Sequence, residues 1–181
     1  VGRLLEERGW PVLDADRYAR DALAPNSRCA SAVVDRFGPV VGEASRLNRS
    51  QLGQIVFNNP VERQWLEQLV HPLVRERFVE ELNHLQAAPV VVLMIPLLFE
   101  AGLETLCSEV WLVDCEPQQQ LNRLQRRNGL SEIEAQARLD AQWPLERKRP
   151  LADVVINNRG TTDALIDQVN RYAPPSLGTT S

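Results

Sequence analysis

The amino-acid sequence predicts an α/β fold, in which helices cover both faces of an open, mostly parallel sheet. Short apolar runs rich in valine alternate along the chain with segments of helical periodicity, and this alternation is typical of strand–helix–strand units. One run, residues 89–98, is apolar throughout, as expected of a parallel strand buried on both faces, and it is too short to span a bilayer. The length of 181 residues suits one domain, and a hydrophobic content of 44% is enough for a buried core.

The chain is predicted to begin with a helix, a strand and two further helices. Apolar residues recur at helical spacing over residues 1–8, and Gly9 ends that helix. Residues 10–13 form a short apolar strand that leads into Asp14 and Asp16. The next two helices cover residues 16–23 and 27–37.

Capping residues mark the helices that follow. Ser50 is expected to cap a helix over residues 51–57. Asn59 and Pro60 are a cap and a first-turn proline, and they begin a helix that runs to His71, where the next proline restarts or kinks it. The apolar residues 73–85 form the next helical face.

In the second half of the chain, strands and helices alternate. After residues 89–98, strands are predicted at residues 110–113 and 154–156, and helices at 117–128, 131–142 and 162–172. A Ser131-x-x-Glu134 capping box begins the second of these helices. Residues 173–181 are rich in proline, serine and threonine and are predicted to be a disordered tail.

Composition excludes several classes of protein. The 24 acidic and 20 basic side chains give a net charge of −4, which argues against a protein that coats nucleic acid or an anionic membrane. Cys29, Cys107 and Cys115 form no C-x-x-C pair, and with two histidines in the chain a zinc site is not expected. We predict reduced thiols in a cytoplasmic protein, because the charged first residues do not form a signal peptide.

Polar side chains follow the predicted strands. Ligands of parallel sheets bind at the carboxyl ends of the strands, and the candidates there are Asp14, Asp16, Glu100, Asp114 and Asn157. Asp14 and Asp16 are two apart on a strand, which points both carboxylates to one side. Such a pair holds a divalent cation or accepts a proton from an attacking hydroxyl. The alternative is structural, because Asp16 precedes a helix and could cap it.

Basic residues are concentrated between the last two predicted strands. Arg126 and Arg138 are the preferred candidates for contacts with phosphate, because phosphoryl transfer requires cations near the transferred group and a helical pair could close over it. A solvated charged face is the alternative for several members of the group. The other members are Arg123, Arg127, Arg147, Lys148 and Arg149.

Four further residues are candidates for substrate contacts. Asn48 and Arg49 precede a predicted helix, where the amide and the guanidinium could meet a phosphate or a nucleobase. His71 could bind a ligand or could form a structural hydrogen bond at a helix junction. Glu100 directly follows the buried run and could pair with a cation or bind substrate.

Several catalytic motifs are absent from the sequence. It contains no G-x-S-x-G, H-E-x-x-H or G-x-G-x-x-G motif and no G-x-x-x-x-G-K-[S/T] loop. The last absence matters most, since an enzyme that uses ATP on a parallel sheet normally binds the phosphates in that loop.

Six short motifs in order along the chain resemble one family. They are Val12-Leu-Asp-Ala-Asp16, Leu47-Asn-Arg49, Leu69-Val-His-Pro72, Pro96-Leu-Leu-Phe-Glu100, Val113-Asp114 and Ala152-Asp-Val-Val-Ile-Asn-Asn158. Together they resemble the dephospho-CoA kinases over the whole chain up to the tail. The resemblance implies a P-loop kinase fold and transfer of the γ-phosphoryl group of ATP, with Mg²⁺, to the ribose 3′-hydroxyl of dephospho-CoA, the last step of coenzyme A synthesis.

The resemblance also implies roles for residues and regions. Asp16 matches the family's catalytic base, and Asp14 would orient it or arrange the metal through water. Asn48, Arg49 and His71 fall in the region that contacts the CoA substrate, Arg126 and Arg138 in the lid, and Asn157 and Asn158 in the loop near the adenine. One domain, residues 1–172, would contain a core (1–23, 89–122 and 150–172), a helical CoA-binding region (24–88) and a lid (123–149).

Members of that family begin with a strand and a glycine-rich loop, followed by the helix that residues 1–8 match. We therefore expect this sequence to start just after the loop, and the polypeptide as written not to bind ATP productively. We also expect the strands beside the absent central strand to expose their hydrogen-bonding edges.

Two other functions are compatible with the sequence. One is a different small-molecule or nucleotide kinase on the same fold, which competition between dephospho-CoA and nucleoside monophosphates would identify. The other is a non-catalytic protein that binds CoA or a nucleotide. In each case the partners are small molecules, and the protein is expected to be a monomer or a small homo-oligomer.

Overall fold

The structure, a computed structural model, describes residues 1–173. The predicted disordered tail lies outside the described residues from residue 174 onward. The chain divides into two compact units. A helical unit comprises residues 14–86, and an α/β unit comprises residues 1–13 together with the described residues from Ala87 onward.

The α/β unit starts with helix α1 (Gly2–Glu6) and strand β1 (Val12–Asp14), whose last residue opens the helical unit. Gly9 adopts φ 79°, in the region that favours glycine, and its N–H donates to Glu6 O at 2.8 Å. The predicted first helix and its glycine stop are therefore present.

The helical unit contains four helices and one small hairpin. In chain order these are α2 (Ala15–Ala22), α3 (Arg28–Phe37), the antiparallel strands β2 (Gly42–Glu43) and β3 (Arg46–Leu47), α4 (Arg49–Asn58) and α5 (Pro60–His84). The sequence signals at α3 are local and were correct, because the Ser27 side chain caps its start and Gly38, at φ 69°, ends it.

The structure differs from two details of the predicted helices in this unit. Ser50 does not cap α4, because the Asn48 side chain accepts the Gln51 N–H at 3.2 Å and the helix starts at Arg49. Of the two effects predicted for the proline after His71, a restart or a kink, the restart does not occur, since α5 runs unbroken over 25 residues from Pro60 to His84. Val70 and Val74 are buried on either side of that proline, and their burial favours a continuous helix although proline removes one backbone hydrogen bond.

The core of the helical unit has two parts. Val33, Val41, Leu52 and Val56 form a buried cluster between α3 and α4. Separately, α2 packs on α5, where the rings of Tyr18 and the fully buried Phe78 meet edge to face with centroids 5.2 Å apart. This packing explains why α2 belongs to the helical unit in the structure, although the predicted helical region began at residue 24.

Replacing Asn59 by alanine is expected to destabilise the protein by about 1 kcal/mol. The Asn59 side chain caps α5 by accepting the N–H groups of Val61, at 3.0 Å, and of Glu62, at 3.4 Å. Urea denaturation measures the effect, and Gln64→Ala, an exposed change in the same helix, is the matched control. Equal free energies of unfolding for the two variants would contradict the prediction.

The α/β unit resumes with alternating strands and helices. They are β4 (Val92–Met94), β5 (Trp111–Asp114), α6 (Pro117–Asn128), α7 (Glu132–Asp140), α8 (Leu145–Lys148), β6 (Val154–Asn157) and α9 (Thr162–Tyr172). The predicted capping box at the start of α7 is present. Short 3₁₀ turns occur in this unit at Glu104–Leu106 and Arg149–Leu151, and in the helical unit at Gly38–Val41.

The predicted strands pair two by two among the described residues. β1 pairs with β4, and β5 pairs with β6 in parallel, with Trp111 opposite Val154 and Asp114 opposite Asn157. The prediction of a strand over residues 89–98 buried on both faces was wrong. β4 has three residues, all half-buried, because it has one neighbouring strand in the described part of the chain. The class of fold, α/β with parallel strands, is as predicted.

Terminal helices cover the strands of the α/β unit. Leu5 of α1 and Val169 of α9 form a buried cluster with Ala173, and Val92 and Trp111 of the strands pack against it. No helix within residues 1–173 is long and apolar enough to cross a membrane.

Candidate active site

Asp14 and Asp16 lie at the start of α2, not along one strand. β1 ends at Asp14, and the Asp14 side chain accepts the Asp16 N–H at 2.8 Å, so Asp14 is the cap of α2. The prediction that strand geometry points both carboxylates to one side was wrong, as was Asp16 as the cap, because the chain turns into a helix after residue 14. Asp16 is exposed in the first helical turn, where the helix dipole favours a negative charge.

Asn48 and Arg49 begin α4, and both have structural contacts. Besides the Asn48 cap, Arg49 Nη2 donates to the carbonyl oxygens of Arg20, at 3.0 Å, and Leu23, at 3.1 Å, at the end of α2. Its other guanidinium nitrogens make no hydrogen bond with any described residue, and the side chain is exposed. Arg49 is therefore a fixed cation with donors available to a ligand.

His71 lies in the middle of α5 and is half-buried. Within residues 1–173 its ring forms no hydrogen bond, so a structural hydrogen bond at a helix junction is not observed, and no junction exists there. No hydrogen bond or ion pair of the described residues joins His71 to Asn48 or Arg49.

Glu100 pairs with a cation, one of the two roles predicted for it. Its Oε1 lies 2.7 Å from Lys148 Nζ, and the exposed fractions of the two side chains are 13% and 6%. The same oxygen accepts the Trp143 N–H at 2.7 Å, while Lys148 Nζ also donates to Pro96 O at 3.3 Å. The contacts connect the turn after β4 to residues 143–148.

Asp114, at the end of β5, is buried and binds two arginines. Its Oδ1 accepts from Arg149 Nη2 at 2.9 Å and its Oδ2 from Arg159 Nη2 at 2.8 Å. Burial tends to raise the pKa of the Asp114 carboxyl, but the hydrogen bonds and charges of Arg149 and Arg159 outweigh it and hold that pKa below its usual value. Asp114 raises the pKa of Arg149 in turn.

Sequence reasoning missed Arg159, which also pairs with Glu116. The available signal was its position just after β6, the strand that pairs with β5, since the ends of parallel neighbours meet at one edge. In the same loop, Asn157 Oδ1 accepts the Arg159 N–H at 2.9 Å. The Asn158 N–H donates to Asp114 O at 2.7 Å, and Asn158 O accepts from Arg123 Nη1 at 2.8 Å.

Arg126 and Arg138 lie in the last turns of α6 and α7, which pack against each other. Arg126 is exposed and lines an open pocket with Asn122 and Gln125, and Arg138 is half-buried. Among residues 1–173, no group of three or more His, Cys, Asp and Glu side chains is arranged to hold a metal ion.

Comparison with known proteins identifies relatives of this chain. A family model described as dephospho-CoA kinase matches residues 1–164. The dephospho-CoA kinase of Parasynechococcus marenigrum (strain WH8102) is 61% identical over 180 residues, which cover 99% of this chain and 91% of that protein. That of Synechococcus sp. (strain CC9605) is 58% identical over 162 residues, which cover 88% and 78%.

Two solved structures share the fold. TT1252 from Thermus thermophilus superposes with a TM-score of 0.74 at 38% identity, and the match covers 93% of this chain and 86% of that one. Dephospho-CoA kinase from Campylobacter jejuni superposes with a TM-score of 0.65 at 27% identity, with the same coverage.

Proposed function

This chain belongs to the dephospho-CoA kinase family, and from that premise we propose how its own side chains carry out the transfer of a phosphoryl group from ATP to dephospho-CoA. The family membership establishes a kinase with small-molecule substrates, one of them ATP. The observation that supports the mechanism most directly is the exposed Asp16 carboxylate at the first turn of α2, with Asp14 fixing the backbone there.

Asp16 acts as the general base. Its carboxylate accepts the proton of the ribose 3′-hydroxyl, the resulting oxygen forms a bond to the γ-phosphorus, and the bond from that phosphorus to the bridging oxygen of ADP breaks. Asp14 contributes by holding the first turn of α2 through the 2.8 Å bond to the Asp16 N–H. The product is coenzyme A with ADP.

Mg²⁺ would enter together with ATP and neutralise charge on its phosphates. The chemistry of the donors fits, because Asp14 and Asp16 offer carboxylate oxygens, which Mg²⁺ prefers, and the Asp14 side chain uses one oxygen, Oδ1, for the cap. Asp14 would contact the ion through water. A cation that keeps several waters does not require a cage of three protein ligands.

On the acceptor side, Asn48, Arg49 and His71 bind dephospho-CoA. Arg49 has the clearest support, because Nη2 is held by the end of α2 while its remaining N–H groups point to no described partner. A guanidinium held in this way can give charge-assisted hydrogen bonds to a phosphate with little loss of conformational freedom.

On the donor side, Arg126 and Arg138 of the lid segment (residues 123–149) contact the phosphates of ATP. Asn157 and Asn158 form the loop beside the adenine. Three hydrogen bonds support that placement, because they fix the loop before a ligand arrives. The Arg159 N–H and the Arg123 guanidinium donate to it, and the Asn158 N–H donates to Asp114 O.

We place the enzyme in the cytoplasm as a monomer or small homo-oligomer without nucleic-acid or membrane partners. The three cysteines support a reducing compartment, since none is bridged to another. Burial raises the pKa of each thiol, which keeps the thiols protonated and unreactive.

A coupled ADP-release assay tests the proposed function. This chain and a version extended at its N-terminus by a strand and a glycine-rich loop would each be offered dephospho-CoA or AMP, with dephospho-CoA binding followed by calorimetry. ADP release is expected in the extended protein, with dephospho-CoA and not with AMP. Turnover with AMP would favour another small-molecule kinase, and binding of dephospho-CoA without turnover in either protein would favour a non-catalytic binder.

Replacing Arg49 by alanine in the extended protein is expected to raise the KM for dephospho-CoA about tenfold or more, since a hydrogen bond to a charged group contributes about 1.5–3 kcal/mol. Steady-state kinetics at saturating ATP measure it. Arg49→Lys keeps the charge but loses the fork of donors and should give a smaller increase. Arg28→Ala, an exposed arginine of α3, is the control, and an unchanged KM in Arg49→Ala would move phosphate recognition elsewhere.

A further inference from the structure

One oxygen of the Glu100 carboxylate is occupied by protein donors, and the other is buried. Its Oε1 already accepts from Lys148 Nζ and from the Trp143 N–H. Its Oε2 is buried and has no hydrogen-bond partner among the described residues. A direct contact between Glu100 and dephospho-CoA or ATP would first require these groups to separate.

Burying the ion pair of Glu100 and Lys148 also costs free energy. Two charges removed from water lose their hydration, and one carboxylate oxygen remains without a donor. Apolar side chains of similar volume at such positions are often neutral or stabilising. Stability alone therefore does not explain why an acid and a base occupy positions 100 and 148.

The contacts of Glu100 do fix one piece of backbone at both ends. The Trp143 N–H and the Lys148 side chain both bind Oε1, so residues 143–148 are held against the turn after β4. Within that segment the Arg147 guanidinium lies 3.2 Å from the centre of the Trp143 ring. The segment begins three residues after the end of α7, the helix that carries Arg138.

We propose that Glu100 is a positioning residue of the kinase. Through Lys148 and the Trp143 backbone, it sets the position of α7, and with it Arg138, relative to the strand ends of the α/β unit. The inference rests on the proposed function, in which Arg138 contacts the phosphates of ATP. In this inference Glu100 positions residues 143–148 and does not bind substrate.

Three variants test the inference. Glu100→Gln keeps the shape but weakens both contacts, Glu100→Leu/Lys148→Met makes the pair apolar, and Glu104→Gln is the control, because Glu104 is exposed on a neighbouring turn. Hydrogen exchange at the Trp143 amide reports on the contact without turnover. The kcat and the KM for each substrate, measured in the extended protein, report on the reaction, and urea denaturation reports on stability.

Glu100→Gln is expected to speed exchange at Trp143 about tenfold and to lower kcat about 10–100-fold, with the KM for dephospho-CoA unchanged. The apolar double variant should keep its stability and still lose kcat, because packing replaces the charge pair without holding the Trp143 N–H. Glu104→Gln should match the wild type in all three measurements.

Two results would overturn the inference. A stable double variant with wild-type kcat would show that the pair is only structural, and a raised KM with unchanged Trp143 exchange would show that Glu100 contacts substrate directly. Failure of the proposed function is distinguishable, since it would appear as absent turnover with dephospho-CoA in the extended protein without any substitution. In that case exchange at Trp143 still decides whether Glu100 holds the segment.

Discussion

Replacing Asp16 by asparagine in the N-terminally extended protein is expected to lower kcat by about 10²–10⁴-fold, the usual loss when a general base is removed. Asparagine has nearly the same shape, but its amide cannot accept the proton of the ribose hydroxyl. The KM values should change little, because the hydrogen bond that shapes the first turn of α2 joins the Asp14 side chain to the backbone N–H of residue 16 and not to its side chain. Initial rates of ADP release at saturating substrates give kcat.

Asp21→Asn is the matched control for this prediction. Asp21 is an exposed carboxylate on the same helix, so its change removes the same charge without removing the base. The control should keep wild-type kcat. A decrease of less than threefold in Asp16→Asn would remove Asp16 from the mechanism, and an equal decrease in both variants would assign the effect to the charge of α2.

Replacing Asp114 by asparagine is expected to destabilise the protein by about 2 kcal/mol at neutral pH, within the range for hydrogen bonds to charged groups. The Asp114 side chain is 7% exposed, and the amide cannot serve both Arg149 and Arg159 as an acceptor of equal strength. The expected loss of stability lies at the lower end of that range, because the side chains of Arg149 and Arg159 are 36% and 38% exposed and regain water when the carboxylate is lost.

The same prediction has a pH dependence of known sign. The pKa of Asp114 is lower in the folded protein than in the unfolded chain, so the unfolded chain binds more protons in acid. The stabilising contribution is complete above the unfolded pKa and is lost as the pH falls through the folded pKa. The difference in unfolding free energy between the wild type and Asp114→Asn should therefore shrink with acidification.

Urea denaturation at neutral pH and at several acidic pH values measures this difference. Asp167→Asn, an exposed change on α9, is the control and should follow the wild type at every pH. A difference that stays constant down to the most acid condition would show that Asp114 does not contribute through its charge.

Local signals accounted for much of the secondary structure. The helices predicted at residues 117–128 and 162–172 have the same bounds in the structure. In α6, Pro117 occupies the first position and Gly129, at φ 65°, the end, and each acts on residues within one turn of itself. Such signals depend on bond geometry and adjacent hydrogen bonds, so a sequence is sufficient to interpret them.

At two helix positions a local signal was overridden. Asn48 and Ser50 are both good caps, and the structure selects Asn48 because β3 ends at Leu47, leaving residue 48 at the turn into the helix. Pro72 normally ends a helix, but the burial of Val70, Val74 and Phe78 keeps α5 continuous. Packing against other elements decided both cases, and packing is not visible in local sequence.

The sequence by itself determined the α/β class, most of the helices and the family, because periodicity, caps and motifs are properties of adjacent residues. Only the tertiary structure decided which charges meet. Glu100 binds a lysine 48 positions away, and Asp114 binds Arg159, 45 positions away. An ion pair requires its charged atoms to lie within about 4 Å, and for residues so far apart along the chain that proximity is created by the packing of strands and helices.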